Sequence, residues 1–193
     1  MDNLFSKFEE EIFDKEEIIF SEEKIKIALA QFTADKLSKI PDKEKGFYFQ
    51  DIIYNFFEYT NIPLIKAGKT RDSGLDGVIK IKAELIGELD LGLQIKYKLI
   101  DSTDVDLFLS ALKNSELQLG LIICKDSRNL NKYELNSKLK AILLSKGINL
   151  KERIIKNKID INPVLIIKFD EILDIIASQI RSFIKGVYKK WKK

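Results

Sequence analysis

Three side chains in this sequence have the types and the spacing to act together on a phosphate ester. Asp76 follows Arg71-Asp72-Ser73-Gly74-Leu75 and precedes Gly77-Val78-Ile79, so a glycine-containing turn delivers it into a β-branched run. About 18 residues later comes Leu93-Gln94-Ile95-Lys96-Tyr97. In a strand, residues i and i+2 face the same way, so Gln94 and Lys96 project together while Ile95 points into the core. A carboxylate with an amide or backbone oxygen can hold a hard divalent cation. Such an ion lowers the pKa of a bound water and stabilises charge on the reacting phosphate. A nearby lysine can orient or deprotonate that water, or neutralise developing charge. Each motif also has a bland meaning. Asp-Gly commonly makes a turn, and Gln-x-Lys commonly decorates a half-exposed strand.

The elements that would carry these residues can be read from periodicity. Residues 2–19 suggest one or two short helices. Residues 21–40 form a helix, N-capped by Ser21, with Glu22 and Glu23 in its first turn and Ile25, Leu29, Phe32 and Leu37 on one face. Pro41 ends it, and the stretch from Pro41 to Gly46 is the clearest boundary. Phe49, Ile52, Ile53, Phe56 and Phe57 give a second helix, 47–59, an apolar face. Strands are expected at 64–66, 75–82, 89–97, 117–124 and 164–169, with a turn at 68–74 and a hairpin turn at Gly87. Helices are expected at 103–113, 131–146 and 170–191. The almost wholly apolar run 117–124 suits a strand covered on both faces. This order describes an α/β domain with a mixed sheet.

Composition narrows the chemistry. The chain has 193 residues, 45% hydrophobic and 33% charged, enough for one core and a well-solvated surface. It has no histidine and one cysteine. A Ser-His-Asp or Cys-His triad is therefore excluded, as is a histidine or cysteine-cluster zinc site. Oxygen ligands point to Mg²⁺ or Mn²⁺. Cys124 reads as a small core residue. No apolar run reaches membrane-spanning length, and the acidic start lacks the features of a signal peptide, so a cytoplasmic protein is expected. Residues 1–45 hold 12 acids and 8 bases, whereas 46–193 hold 18 acids and 25 bases. Residues 181–193 carry six bases and no acid. A basic body suits phosphate binding, and equally suits a lysine-rich solvated surface.

Gly46-x-x-Phe49 on a helix, then Asp72-x-Gly74-x-Asp76-Gly77, then Gln94-x-Lys96, resembles the Mrr-type branch of the PD-(D/E)XK nuclease superfamily. The resemblance covers residues 46–125. It implies a restriction-endonuclease-like, three-layer α/β domain with a central mixed sheet flanked by helices, at 46–193, and an N-terminal helical extension at 1–45. It further implies that Asp76 and Gln94 bind the metal, that the Ile95 backbone carbonyl completes its shell, and that Lys96 is the catalytic lysine. Gln at the second acidic position is usual in that branch. The position after the helical Phe, where relatives commonly carry Glu, holds Gln50, a supporting residue without charge. Asp72 is a second supporting candidate. It, Glu84 or Asp90 could supply a further carboxylate.

Three readings follow. The first is a metal-dependent endodeoxyribonuclease in restriction or another defence system. The second is a catalytically weakened nuclease-fold module that binds DNA or a partner. The third is an α/β protein in which the motifs are structural. Under the first, Lys66, Lys69, Arg71 and Lys98 are candidate DNA phosphate contacts, and residues 1–45 could form a homodimer or dock another subunit.

Overall fold

A computed structural model describes residues 3–13, 21–67, 74–83, 87–117, 119–127 and 164–191. In chain order the elements are α1 (Leu4–Phe13), α2 (Glu22–Ser38), α3 (Lys45–Tyr59), β1 (Leu64–Lys66), β2 (Gly77–Ala83) and β3 (Gly87–Ile100). There follow α4 (Ser102–Asn114), β4 (Leu119–Ser127), β5 (Val164–Lys168) and α5 (Phe169–Trp191). The expected helix 131–146 lies outside the described residues. The chain divides into two compact units, residues 1–59 with 170–193, and residues 60–169. No helix among the described residues is long and apolar enough to cross a membrane.

The helical unit is assembled from amphipathic faces and a few directed bonds. Ser21 caps α2 by accepting from the Lys24 N–H. The buried stripe of α2 is Ile25, Leu29, Thr33 and Leu37. Thr33 takes the place expected for Phe32 because its hydroxyl donates to the Leu29 and Ala30 carbonyls, which lets a polar residue be buried. Phe32 instead meets Phe8 of α1, ring centroids 5.3 Å apart. The five predicted α3 residues, Phe49, Ile52, Ile53, Phe56 and Phe57, are all buried. Asn3 and Asn55 tie α1 to α3 through two hydrogen bonds of 2.8 and 3.0 Å. On α2, Lys26 bridges Asp170 and Asp174 of α5, each at 2.8 Å.

The second unit is a five-stranded mixed sheet in the order β1-β2-β3-β4-β5. The β1–β2 and β2–β3 pairs are antiparallel, and the β3–β4 and β4–β5 pairs are parallel. The α/β class with a central mixed sheet is thus the observed fold. Strand β3 is longer than expected, 14 residues, because its ladder with β2 runs back to the Gly87–Ala83 pair and its ladder with β4 runs on to the Ile100–Ser127 pair. Between β3 and β4 lies α4, started by a capping box in which Asp101 and Asp104 each accept from the other's backbone N–H. A helical crossover of this kind is the usual link between parallel strands.

One sheet face receives α4. Register places Gly92, Gln94 and Lys96 of β3 on the same face as Gly120, Ile122 and Cys124 of β4. Val105, Phe108 and Leu112 of α4 form a single buried cluster with Ile122, Cys124, Val164 and Ile166. The helix approaches so closely that only glycine fits beneath it. A Cβ on Gly120 would lie 2.5 Å from Phe108 Cε1 and 2.6 Å from Leu112 Cδ1. Gly120→Ala is expected to lower stability by about 1–3 kcal/mol through overpacking, measured by chemical denaturation.

Candidate active site at the end of strand β2

Asp76 sits one residue before β2 rather than within it. Its N–H donates to the Leu93 carbonyl of β3 at 2.7 Å, while its own carbonyl accepts from the Ala67 N–H beyond β1 at 3.0 Å. In a regular strand both groups of one residue point to the same neighbour. At Asp76 they point to opposite neighbours, so the chain bends there and the side chain leaves the pleat. The carboxylate returns to β3, where Oδ2 accepts from the Ile95 N–H at 2.6 Å. That distance is short even for an N–H bonded to a carboxylate.

This contact places Asp76 beside the Ile95 peptide. Leu93 is the last β3 residue paired with β2, opposite Gly77. Two residues on, the Ile95 N–H and C=O again point toward β2, but the strand has ended. The Asp76 carboxylate occupies the N–H, and the Ile95 carbonyl faces the same strand end.

Gln94 is 7% exposed, as buried as its neighbour Ile95 at 9%. Its Nε2 donates to the Gly74 carbonyl at 2.8 Å. That bond fixes which end of the amide is which. Its Oε1 is buried and has no hydrogen-bond partner among the described residues. An unpaired buried acceptor is uncommon, because it forgoes its bond to water. Lys96 projects from the same face and is half-buried. Asp76, Gln94 and the Ile95 peptide thus meet at one turn, and Lys96 follows two residues along β3 on the Gln94 face, all within the sheet unit.

The other predicted residues are distributed differently. Lys69, Arg71 and Asp72 lie outside the described residues, as does Glu84. Lys66 is exposed on the edge strand β1. Lys98 pairs with Asp104 at 2.7 Å, so its charge is partly matched within the fold. Asp90 shares a face with Gln94 but sits four residues, roughly 13 Å, along the strand, where Lys80 lies 3.8 Å from it. Gln50 belongs to the helical unit, where its Nε2 donates to the Tyr54 hydroxyl at 2.7 Å. Among the described residues no group of three His, Cys, Asp or Glu side chains is placed to hold a metal.

Sequence reasoning missed Gly74 as a participant. It has φ +67°, and a Cβ there would lie 3.1 Å from Ala111 Cβ of α4. A glycine two residues before the candidate aspartate was the available signal, since left-handed backbone favours that residue. The buried acid Asp104 was legible too, as the second half of a capping box.

The residues present fit a hard cation on one observation, the buried Gln94 Oε1 left without a partner among the described residues on the strand that also binds the Asp76 carboxylate. Both are oxygen donors of the kind such ions take.

The fold and this cluster define an α/β protein with a mixed five-stranded sheet and a polar site where an antiparallel strand ends. Among solved structures, the chain is similar to the DNA modification-dependent restriction endonuclease AspBHI, with a TM-score of 0.42 and 16% identity. The similarity covers 77% of this chain and 37% of that one, so the chain spans little more than a third of that protein's length. No protein-family model and no curated protein matches the chain.

Proposed function

We propose that the chain is a metal-dependent endodeoxyribonuclease that hydrolyses DNA phosphodiester bonds, in restriction or another defence role. The observation that carries this reading is the 2.6 Å bond from the Ile95 N–H to Asp76 Oδ2. It joins the two halves of the motif and sets the carboxylate beside the Ile95 carbonyl, with Gln94 and Lys96 on the adjoining face. Asp76, the Ile95 carbonyl and Gln94 Oε1 would hold Mg²⁺ or Mn²⁺. When bound, the cation supplies Lewis acidity and a water of lowered pKa.

The chain's own contribution is positional and electrostatic. The Ile95 N–H fixes the rotamer of Asp76, so no conformational search precedes ligand binding. Lys96 reaches the phosphate with a mobile ammonium, which can neutralise charge developing there or orient the attacking water. Lys66, with Lys69 and Arg71 in the segment that follows, would contact DNA phosphates without reading sequence. Lys98 contributes less, because Asp104 already opposes it. Residues 1–45 are proposed as a dimerisation or subunit-docking extension to a domain at 46–193, acting in the cytoplasm.

A second reading, a DNA- or partner-binding module with weakened catalysis, is favoured by residue type alone. Of Gln50, Asp76 and Gln94, only Asp76 is a carboxylate. One experiment separates the two. Supercoiled plasmid is incubated with the protein in Mg²⁺, Mn²⁺ or chelator, and DNA binding is measured across salt concentrations. The nuclease reading predicts nicking in either metal and none in chelator. Salt-sensitive binding without nicking would support the second reading, and neither activity would reject both.

A further inference from the structure

We propose that Gln94 is a positioning residue whose amide, and not a carboxylate, is what the site requires. Its Nε2 clamps the turn that delivers Asp76, and its Oε1 remains as a buried acceptor. The clamp stands on geometry, while its catalytic consequence rests on the nuclease reading above.

Three consecutive residues of β3 grip two residues of the turn, Gly74 and Asp76. The Leu93 carbonyl accepts from the Asp76 N–H at 2.7 Å. Gln94 Nε2 donates to the Gly74 carbonyl at 2.8 Å. The Ile95 N–H donates to Asp76 Oδ2 at 2.6 Å. The two flanking bonds use backbone or Asp76 itself, so only the middle one depends on the residue at 94. Gly74 takes a left-handed conformation that most residues avoid, and a Cβ there would crowd Ala111 Cβ at 3.1 Å. A turn so confined needs its carbonyl satisfied, and position 94 supplies the donor.

A glutamate at 94 would match the shape and add a negative charge, the change that a simple ligand-counting view predicts to improve cation binding. It cannot donate when ionised. Its oxygens would face the Gly74 carbonyl oxygen, replacing attraction with repulsion. A methionine at 94 keeps the length and the apolar packing and also removes the donor.

Amide hydrogen exchange in the metal-free protein tests the clamp. In Gln94→Glu and Gln94→Met, protection at the Asp76 and Ile95 amides is expected to fall about tenfold or more relative to wild type. The Ile122 and Ile166 amides of the same sheet should keep their protection. Wild-type protection at Asp76 and Ile95 in Gln94→Glu would overturn the proposal. Should a variant fail to fold, the wild-type protein still decides. One Gln94 side-chain amide proton is expected to exchange slowly, and free exchange of both would overturn the clamp. In plasmid nicking, Gln94→Glu is expected to lower kcat with KM for DNA unchanged, and a variant as fast as wild type would contradict it. A wild type that does not nick would reject the nuclease reading, while the exchange result would still decide the clamp.

Discussion

Asp76→Ala is expected to reduce metal-dependent plasmid nicking by roughly 10²–10³-fold, the scale seen when one preorganised electrostatic group is removed from an active site. The same change strands the Ile95 N–H, which loses a charge-assisted acceptor worth about 1.5–3 kcal/mol. The alanine variant should therefore lose both activity and stability. Asp76→Asn separates the two effects. Its Oδ1 can still accept from the Ile95 N–H, so thermal stability should stay near wild type. Its missing charge should still abolish most of the nicking. If the asparagine variant nicks like wild type, Asp76 is a turn residue and the chemical assignment fails. If it unfolds like the alanine variant, the carboxylate charge is structural as well.

Phe108→Ala is expected to carry the largest stability cost, about 3–5 kcal/mol. The ring is fully buried at the centre of the α4 cluster and lies over Gly120. Removing it leaves a cavity walled by Leu112, Ile122 and Val164, which belong to a helix and two strands that cannot easily collapse together. The close approach at Gly120 makes a sharper prediction possible. Gly120→Ala is destabilising in the wild type because its Cβ meets the Phe108 ring. In the Phe108→Ala background the ring has gone and only Leu112 Cδ1 still opposes the Cβ, so the two costs should add only in part. Strict additivity by chemical denaturation would mean that the ring does not set the spacing between α4 and β4.

Much of this was legible locally. The five buried residues of α3 follow directly from helical periodicity, and β4 from an apolar run that only a doubly covered strand tolerates. The pairing of Asp76 with the Gln94 strand was also foreseeable, since two strands joined by a short connection form a hairpin. What the local pattern could not show was which surfaces other elements would cover. Alternation along 93–97 makes Ile95 the core residue and Gln94 the outward one, yet both are buried, because α4 closes on the Gln94 face. The glycines at 92 and 120 record that closure, but nothing near either residue names Leu112 or Phe108 as the neighbour. Likewise, Asp76 reads as a residue inside the strand expected at 75–82. Its departure from the pleat comes from backbone bonds to two different strands, a tertiary arrangement with no local signature. The pairing of Lys98 with Asp104 also follows from the fold, since α4 begins just after β3 and turns its first turn back on the strand.

DNA cleavage is proposed for the residues Asp76, Gln94 and Lys96 beside the start of β2. The most direct test is nicking of supercoiled plasmid in Mg²⁺ by wild type, Asp76→Asn and Lys96→Ala, compared at equal concentration after each is shown to be folded. Open-circular product is expected from wild type and little or none from either variant. Equal conversion by all three proteins would contradict it.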